Sequence, residues 1–344
     1  PEILTILCSD SEINSDAENS PKIRVNCESK VEKVEKFIPR TVQMKVKSDN
    51  GSVFEDFSLE NFLIKTQNEQ ILVISDVAGS GKTTLLRKIH ENLMPKFPQH
   101  FIIFMSLLKY VDELTEGVGD NFTEFIAKIL NFDALEKEVF EQKYSKGEVK
   151  ILFDAFDEIS PKCKENTTKL FLNFLKKSTN QIFITTRTHL EHDLEKDLKV
   201  LALRMKTLSK EEQVTFLVKF WGNKDRKLVE KNAELLVIKI SEIISSNPSY
   251  IGVPLIVQGL AEAFKDKIDE NFEHEIENLD ISSIYEKLIE TFLNILNLKF
   301  PQNSIENQKK TISLLQVHQY LAVCLLFSED FANSLGLSHE EDEW

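Results

Sequence analysis

The chain reads as an α/β protein in which a parallel sheet is covered by helices on both faces and is followed by an all-α region. Three observations predict this. From Phe37 onward, short apolar runs of strand length alternate with amphipathic helical stretches, the pattern of a parallel sheet built by helical crossovers. The runs Ile71–Ser75, Phe101–Met105, Ile151–Asp154, Ile182–Thr186 and Val200–Met205 are the expected strands. After Met205 the spacing changes to that of helices and stays so.

The change begins at Ser209, which with Glu212 forms a capping box opening a helix through Phe216, Leu217 and Phe220. Further apolar periodicities at Leu235–Ile244, Leu255–Phe264, Ile284–Leu296 and Ile312–Phe327 are helical. Residues 1–36 are rich in Ser, Asn, Asp, Glu and Lys and read as a linker or partly ordered arm. There is no fixed-period repeat.

Composition narrows the function. A chain of 344 residues with 42% hydrophobic and 28% charged content should form two or three packed domains. Its net charge of −14, with no basic cluster interleaved with aromatics, opposes a phosphodiester backbone, so no nucleic-acid partner is expected. A soluble, cytoplasmic protein is the expectation from this acidity. The four cysteines, Cys8, Cys27, Cys163 and Cys324, include no CxxC pair, which argues for reduced buried thiols over zinc or disulfides. No apolar run reaches the roughly 18 residues of a membrane span, and the start at Pro1 reads as an excerpt of a longer protein. His189 and His192 read as an exposed helical pair rather than half a metal site, and Glu340 to Glu343 as a solvated charged end.

The segment Ile71 to His90, ILVISDVAGSGKTTLLRKIH, places a buried strand, a small-residue loop and a helix in succession. This is the context of a phosphate-binding loop. Gly79 and Gly81 lack a Cβ, so the backbone from Ala78 through Ser80 can wrap around phosphates with its N–H groups inward. A helix starting near Lys82 aims its positive end at the same place. Lys82 adds a full charge for the β- and γ-phosphates, Thr83 a hydroxyl ligand for Mg²⁺, and Thr84 continues the first helical turn. The full pattern has glycine where this chain has Asp76, and a carboxylate beside phosphates weakens binding unless it points away.

A second segment, KILFDAFDEIS from Lys150 to Ser160, ends an apolar strand in Asp154 and follows it with Asp157 and Glu158. A strand-end carboxylate at this point holds magnesium opposite the loop hydroxyl, and the acidic pair can orient an attacking water. A third, QIFITTRTHL from Gln181 to Leu190, ends in Thr185, Thr186 and Arg187 at the sheet edge where ligands bind in open α/β folds. Arg187 either senses the γ-phosphate or pairs with a neighbouring carboxylate.

Together AGSGKTTLL, ILFDAFDEI, ITTR and LSKEEQVTFLVKFW resemble the successive motifs of NACHT-domain proteins, signal-transduction (STAND) P-loop NTPases of the NOD-like-receptor type. Ala155, Asp157 and Glu158 match the small residue and the further acids that this family carries after its magnesium aspartate. The resemblance implies a nucleotide-binding domain over 37–206, a helical domain over 207–280 and the truncated start of a winged-helix domain over 281–344. Pro254 and Leu255 resemble the family's helical-domain pair, whose proline packs against adenine; Pro254 also suits the first position of a helix. FIPRTV at Phe37 to Val42 is similar to the segment before the first NACHT strand, which implies that Ile38 and Pro39 line the base pocket.

The implied function is a slow ATP-hydrolysing switch with ATP/ADP and Mg²⁺ as cofactors, in which nucleotide state controls opening and self-association. Protein partners would act through domains outside this stretch, and the family analogy extends to innate immunity. A scaffold that holds nucleotide with negligible turnover is the alternative. A P-loop small-molecule kinase ranks last, because no Arg-rich lid segment follows the sheet.

Overall fold

The computed structural model describes residues 38–48, 51–117, 121–175, 180–222, 225–244, 248–280, 282–289 and 291. The N-terminal arm, most of the expected winged-helix segment, Cys8, Cys27, Cys324, the Ile312–Phe327 periodicity and the acidic end lie outside them. The chain divides into two compact units, Pro1–Gln258 and Gly259–Trp344.

The first unit opens with an antiparallel hairpin, β1 (Thr41–Ser48) and β2 (Gly51–Ser58), followed by α1 (Leu59–Lys65). Ser58 caps α1 by accepting the Asn61 N–H at 3.3 Å. Then come β3 (Ile71–Ser75), α2 (Lys82–Lys96), β4 (Phe101–Ser106), α3 (Val111–Glu116), α4 (Phe122–Ile129), α5 (Ala134–Ser145), β5 (Val149–Asp154), α6 (Pro161–Leu175), β6 (Gln181–Thr186) and α7 (Glu191–Leu198). The unit continues with β7 (Arg204–Met205), α8 (Lys210–Trp221), α9 (Arg226–Ile243), α10 (Pro248–Ile251) and the first turn of α11 (Pro254–Phe264).

Four strands pair in parallel in the order β3-β6-β5-β4. Every residue of β3, β5 and β6 is buried, which is why each carries an uninterrupted apolar run, ILVI, ILF and IFI, with its polar residues toward the strand ends. Their side chains still alternate between two cores. On one face Val73, Ile103, Phe153 and Ile184 pack with residues of α3 to α7, including Phe125, Phe171 and Leu194. On the other, Leu72, Ile74, Leu152 and Phe183 pack with Leu85, Leu86 and Ile89 of α2, Phe62 of α1 and Val42 of β1. Helices therefore cover both faces, as the sequence predicts.

The expected fifth strand, Val200–Met205, is corrected. Only Arg204–Met205 is strand, and it pairs antiparallel with β1 as part of a separate sheet of order β2-β1-β7. Leu203 alone makes a parallel bridge, to Ile74. The cause is the hairpin, whose strand β1 offers Val42 and Gln43 as partners for Met205 and Arg204.

Beyond the sheets, the capping box at Ser209 is present: its Oγ accepts the Glu212 N–H at 3.2 Å and the Glu212 carboxylate accepts the Ser209 N–H at 2.7 Å. Pro254 occupies the first position of α11, where its missing N–H costs nothing. The second unit is helical where described. The remainder of α11, α12 (Phe272–Glu277) and a helix at 282–289 bury Phe264, Phe272, Ile276 and Leu288, with the Phe264 and Phe272 rings 5.9 Å apart.

Candidate functional site

The site is built at the carboxyl ends of β3, β5 and β6, around a cavity of about 290 Å³, at the low end of the roughly 300–1,000 Å³ of ligand pockets. From the loop after β3, Ala78, Gly79, Gly81, Lys82, Thr83 and Thr84 line it. Gly79 and Gly81 have φ of +74° and +92°, backbone that only glycine adopts without strain. A Cβ on Gly79 would also stand 2.7 Å from the Leu255 Cβ, because the Leu255 N–H donates to the Gly79 carbonyl at 3.2 Å. The loop's close approach to α11 therefore requires glycine.

Helix α2 begins at Lys82, so its first-turn N–H groups and its dipole end belong to the cavity wall. The Lys82 ammonium donates to the carbonyls of Asp76 at 2.9 Å and Val77 at 2.8 Å. Burial pushes its pKa down from the ordinary lysine value, against the pull of Asp157 and Asp76. Such an amine is partly desolvated and gains more from a phosphate than a surface lysine would.

From β5, Asp154 is buried and lines the cavity. The Thr185 hydroxyl donates to Asp154 Oδ1 at 2.5 Å and accepts the Ala155 N–H at 3.1 Å. Thr185 thus uses its one proton to fix the carboxylate and one lone pair to fix the turn that follows. That turn needs fixing: Ala155 has φ +64°, a left-handed conformation costing about 1–2 kcal/mol for a residue with a Cβ. The reversal carries the chain into a short 3₁₀ turn, Phe156–Glu158, and brings both acids back to the cavity.

Arg187, just past β6, joins them. Its Nε lies 2.8 Å from Asp157 Oδ2 and a terminal nitrogen 3.6 Å from Glu158 Oε1. The two acids differ in setting: the Asp157 side chain is 4% exposed and that of Glu158 45%. Of the two sequence readings for Arg187, the carboxylate pairing is the one observed, with the very acids that line the site.

The remaining expected residues divide. Pro254 lines the cavity beside Leu255 and Gln258, while Ser80 is buried in the loop and does not line it. Ile38 is buried and Pro39 exposed, and neither lines this cavity. Sequence reasoning missed the roles of Thr185, Leu255 and Gln258. Thr185 stands in the ITTR motif, but the motif assigns it no partner, and only strand register sets it beside Asp154.

The residues fit magnesium and a nucleotide. Mg²⁺ takes one or two protein oxygens and completes its octahedron with water and phosphate oxygens. Thr83 and Asp154 on one cavity satisfy that, and among the described residues no cluster of three or more His, Cys, Asp or Glu suggests a more enclosing metal site. Asp76 is directed elsewhere: its Oδ1 accepts the Val77 N–H at 2.7 Å and its Oδ2 the Met205 N–H at 3.1 Å. Cys163 is a buried free thiol beside Thr115 and Ser160, and among the described residues no helix is long and apolar enough to cross a membrane.

Residues 70–224 match the family model of the NACHT domain. No curated protein matches the chain. Among solved structures it is similar to domain III of the Thermotoga maritima replication initiation protein DnaA, at 16% identity and a TM-score of 0.36, over 55% of this chain and 81% of that one. Saccharomyces cerevisiae RIF2 aligns at 13% identity and a TM-score of 0.35, covering 65% and 87%. Caenorhabditis elegans PCH-2 aligns at 10% and 0.32, covering 66% and 62%. Likenesses at these scores carry no weight for function. The family match spans the loop, the strand-end aspartate and Arg187, the residues that the fold gathers on one cavity; this part of the chain, 70–224, is a NACHT domain and belongs to the P-loop nucleotide-binding NTPases.

Proposed function

We propose that the chain binds ATP with Mg²⁺ and hydrolyses it slowly, and that the nucleotide state acts as a signalling switch controlling opening and self-association. The observation supporting this is the convergence of Lys82, Thr83, Asp154, Asp157, Glu158 and Arg187 on one cavity. When bound, the triphosphate supplies the cleavable phosphoanhydride and the magnesium its Lewis acidity. Lys82 and the N–H groups at the start of α2 neutralise the phosphates, with Pro254 toward the base. Thr83 and Asp154 hold the metal, Asp154 being oriented by Thr185.

Hydrolysis joins a water oxygen to the γ-phosphorus and breaks its bond to the bridging oxygen, releasing ADP and phosphate. Glu158, half-exposed and more loosely held by Arg187, is the better placed of the two acids to orient that water. Asp157, buried and tightly paired, anchors Arg187. Arg187 has two competing demands, the acids and the γ-phosphate, and this favours slow turnover. The same pairing supports the second reading, a nucleotide-binding scaffold with negligible turnover. Cytoplasmic location follows from the acidity of the chain and a role in innate immunity from the family analogy, and both go with the switch.

Single-turnover phosphate release and equilibrium binding, measured on the same preparations, separate these readings. Glu158→Gln should keep near-native Mg·ATP affinity and lose most phosphate release, whereas Asp154→Asn should lose magnesium-dependent affinity as well. A wild-type chain with no measurable turnover would overturn the ATPase switch in favour of the scaffold.

A further inference from the structure

The residue that departs from the phosphate-loop pattern has an unusual set of partners. β3 and the segment before β7 run side by side: the Leu203 N–H donates to the Val73 carbonyl at 2.7 Å, and the Ser75 N–H to the Leu203 carbonyl at 2.8 Å. In a regular parallel ladder the next donor, the Met205 N–H, would find a backbone carbonyl of the neighbouring strand. Here the chain has already turned away from the strand into the phosphate loop. The Asp76 carboxylate takes the carbonyl's place, its Oδ2 accepting the Met205 N–H at 3.1 Å. Its other oxygen accepts the Val77 N–H at 2.7 Å, closing the first bend of the loop.

Met205 is 4% exposed and pairs with Val42 of β1, and its bond to Asp76 is part-buried, so solvent has restricted access to that N–H if the acceptor is removed. The negative charge is compensated from the same side. Arg40, 8% exposed, donates to the Lys206 carbonyl at 2.6 Å and feels the charges of Asp76 and Glu212. Burial raises the Asp76 pKa, while its two backbone donors, Lys82 and Arg40 oppose that rise. The Asp76 carbonyl, which this anchoring positions, accepts the Lys82 ammonium at 2.9 Å.

We infer that Asp76 is a positioning residue: its carboxylate straps the start of the phosphate loop to β7, and through β7 to the β1–β2 hairpin, presetting the loop to receive phosphate. This deepens the proposed nucleotide binding and rests on it. Charge alone predicts the opposite effect of substitution, because a carboxylate near bound phosphate is repulsive and its removal should tighten binding, most of all at low salt. Glycine, the usual residue, would leave the Met205 N–H without an acceptor and the first bend without its closure.

The test titrates the full chain with fluorescent ATP and Mg²⁺ in wild type, Asp76→Gly, Asp76→Asn and Lys82→Ala. Melting temperature and hydrogen exchange across residues 203–207 are followed in each. Asp76→Gly should weaken affinity by about tenfold at temperatures where it remains folded, and speed exchange at the Met205 amide. Asp76→Asn, with one acceptor oxygen and one amide nitrogen, should fall between. Equal or tighter binding by Asp76→Gly overturns the strap, as does unchanged Met205 exchange. If the glycine variant does not fold, affinity and exchange in Asp76→Asn decide by the same criteria. Lys82→Ala should lose affinity while Met205 exchange stays that of wild type. Wild-type affinity in Lys82→Ala would instead sink the phosphate-loop reading, leaving the strap to be judged by exchange.

Discussion

The two ends of the parallel sheet are made from the same four strands and are finished in opposite ways. At the amino end, polar side chains close the structure on itself. Asn180 accepts the Val149 N–H and donates to the Tyr144 carbonyl, both at 2.8 Å. Gln181 donates to the carbonyls of Thr66 and Glu69 at 2.8 and 2.9 Å, and accepts the buried Lys150 ammonium at 2.9 Å. His100, whose Nδ1 is buried without a partner, is the exception there. At the carboxyl end, Lys82, Thr83, Thr84 and Arg187 line the cavity, and Lys82 borrows loop carbonyls. One end spends its polar groups on the fold. The other keeps donors and charges available to a ligand, and that asymmetry distinguishes a binding edge from a structural one when both carry buried polar residues.

The contrast predicts that stability and binding respond to different ends. Asn180→Ala should show the largest effect on stability, since it takes the acceptor from the buried Val149 N–H, at about 1–3 kcal/mol, and one donor from the Tyr144 carbonyl, which keeps the Gly147 N–H at 3.1 Å. ATP affinity in the still-folded protein should not move. Denaturant midpoints beside an ATP titration check this, and a parallel loss of affinity would erase the distinction between the ends. Lys82→Ala should do the reverse, costing at least about 1.4 kcal/mol, or tenfold, in Mg·ATP affinity while leaving the denaturation midpoint in place.

The smallest effect sharpens the picture of the carboxyl end. Thr185→Val keeps the shape of the side chain but removes the hydroxyl that holds Asp154 and the Ala155 N–H. The loss of that bond, about 1 kcal/mol, should appear as a roughly fivefold fall in the increment of ATP affinity that Mg²⁺ supplies. Affinity in the presence of a chelator should change little, and Thr185→Ser should restore the increment. An equal loss with and without Mg²⁺ would make Thr185 a merely structural residue.

Much of this was legible beforehand, for definable reasons. Strands buried on both faces carry uninterrupted apolar runs, ILVI within Ile71–Ser75 and IFI within Ile182–Thr186, so both announce themselves to within a residue. The hairpin did not: its outer strand GSVFEDFS is short of apolar residues and exposes Val53 and Phe54, and Asn50-Gly51 was the one turn signal available. Val200–Met205 misled because an apolar run states that a segment is buried but not which sheet takes it.

The sequence by itself determined the order of the motifs, the start of α2 at Lys82, the positive-φ glycines of the loop and the type of chemistry available. Those properties are local, and spacing along the chain encodes them. Only the tertiary structure decided which group each charge faces: Thr185 holds Asp154, Arg187 grips Asp157 ahead of Glu158, and Asp76 turns from the phosphate side toward Met205. These partners come from distant segments, brought together by strand register and by packing on the two cores, and neither register nor side-chain direction follows from one segment read alone.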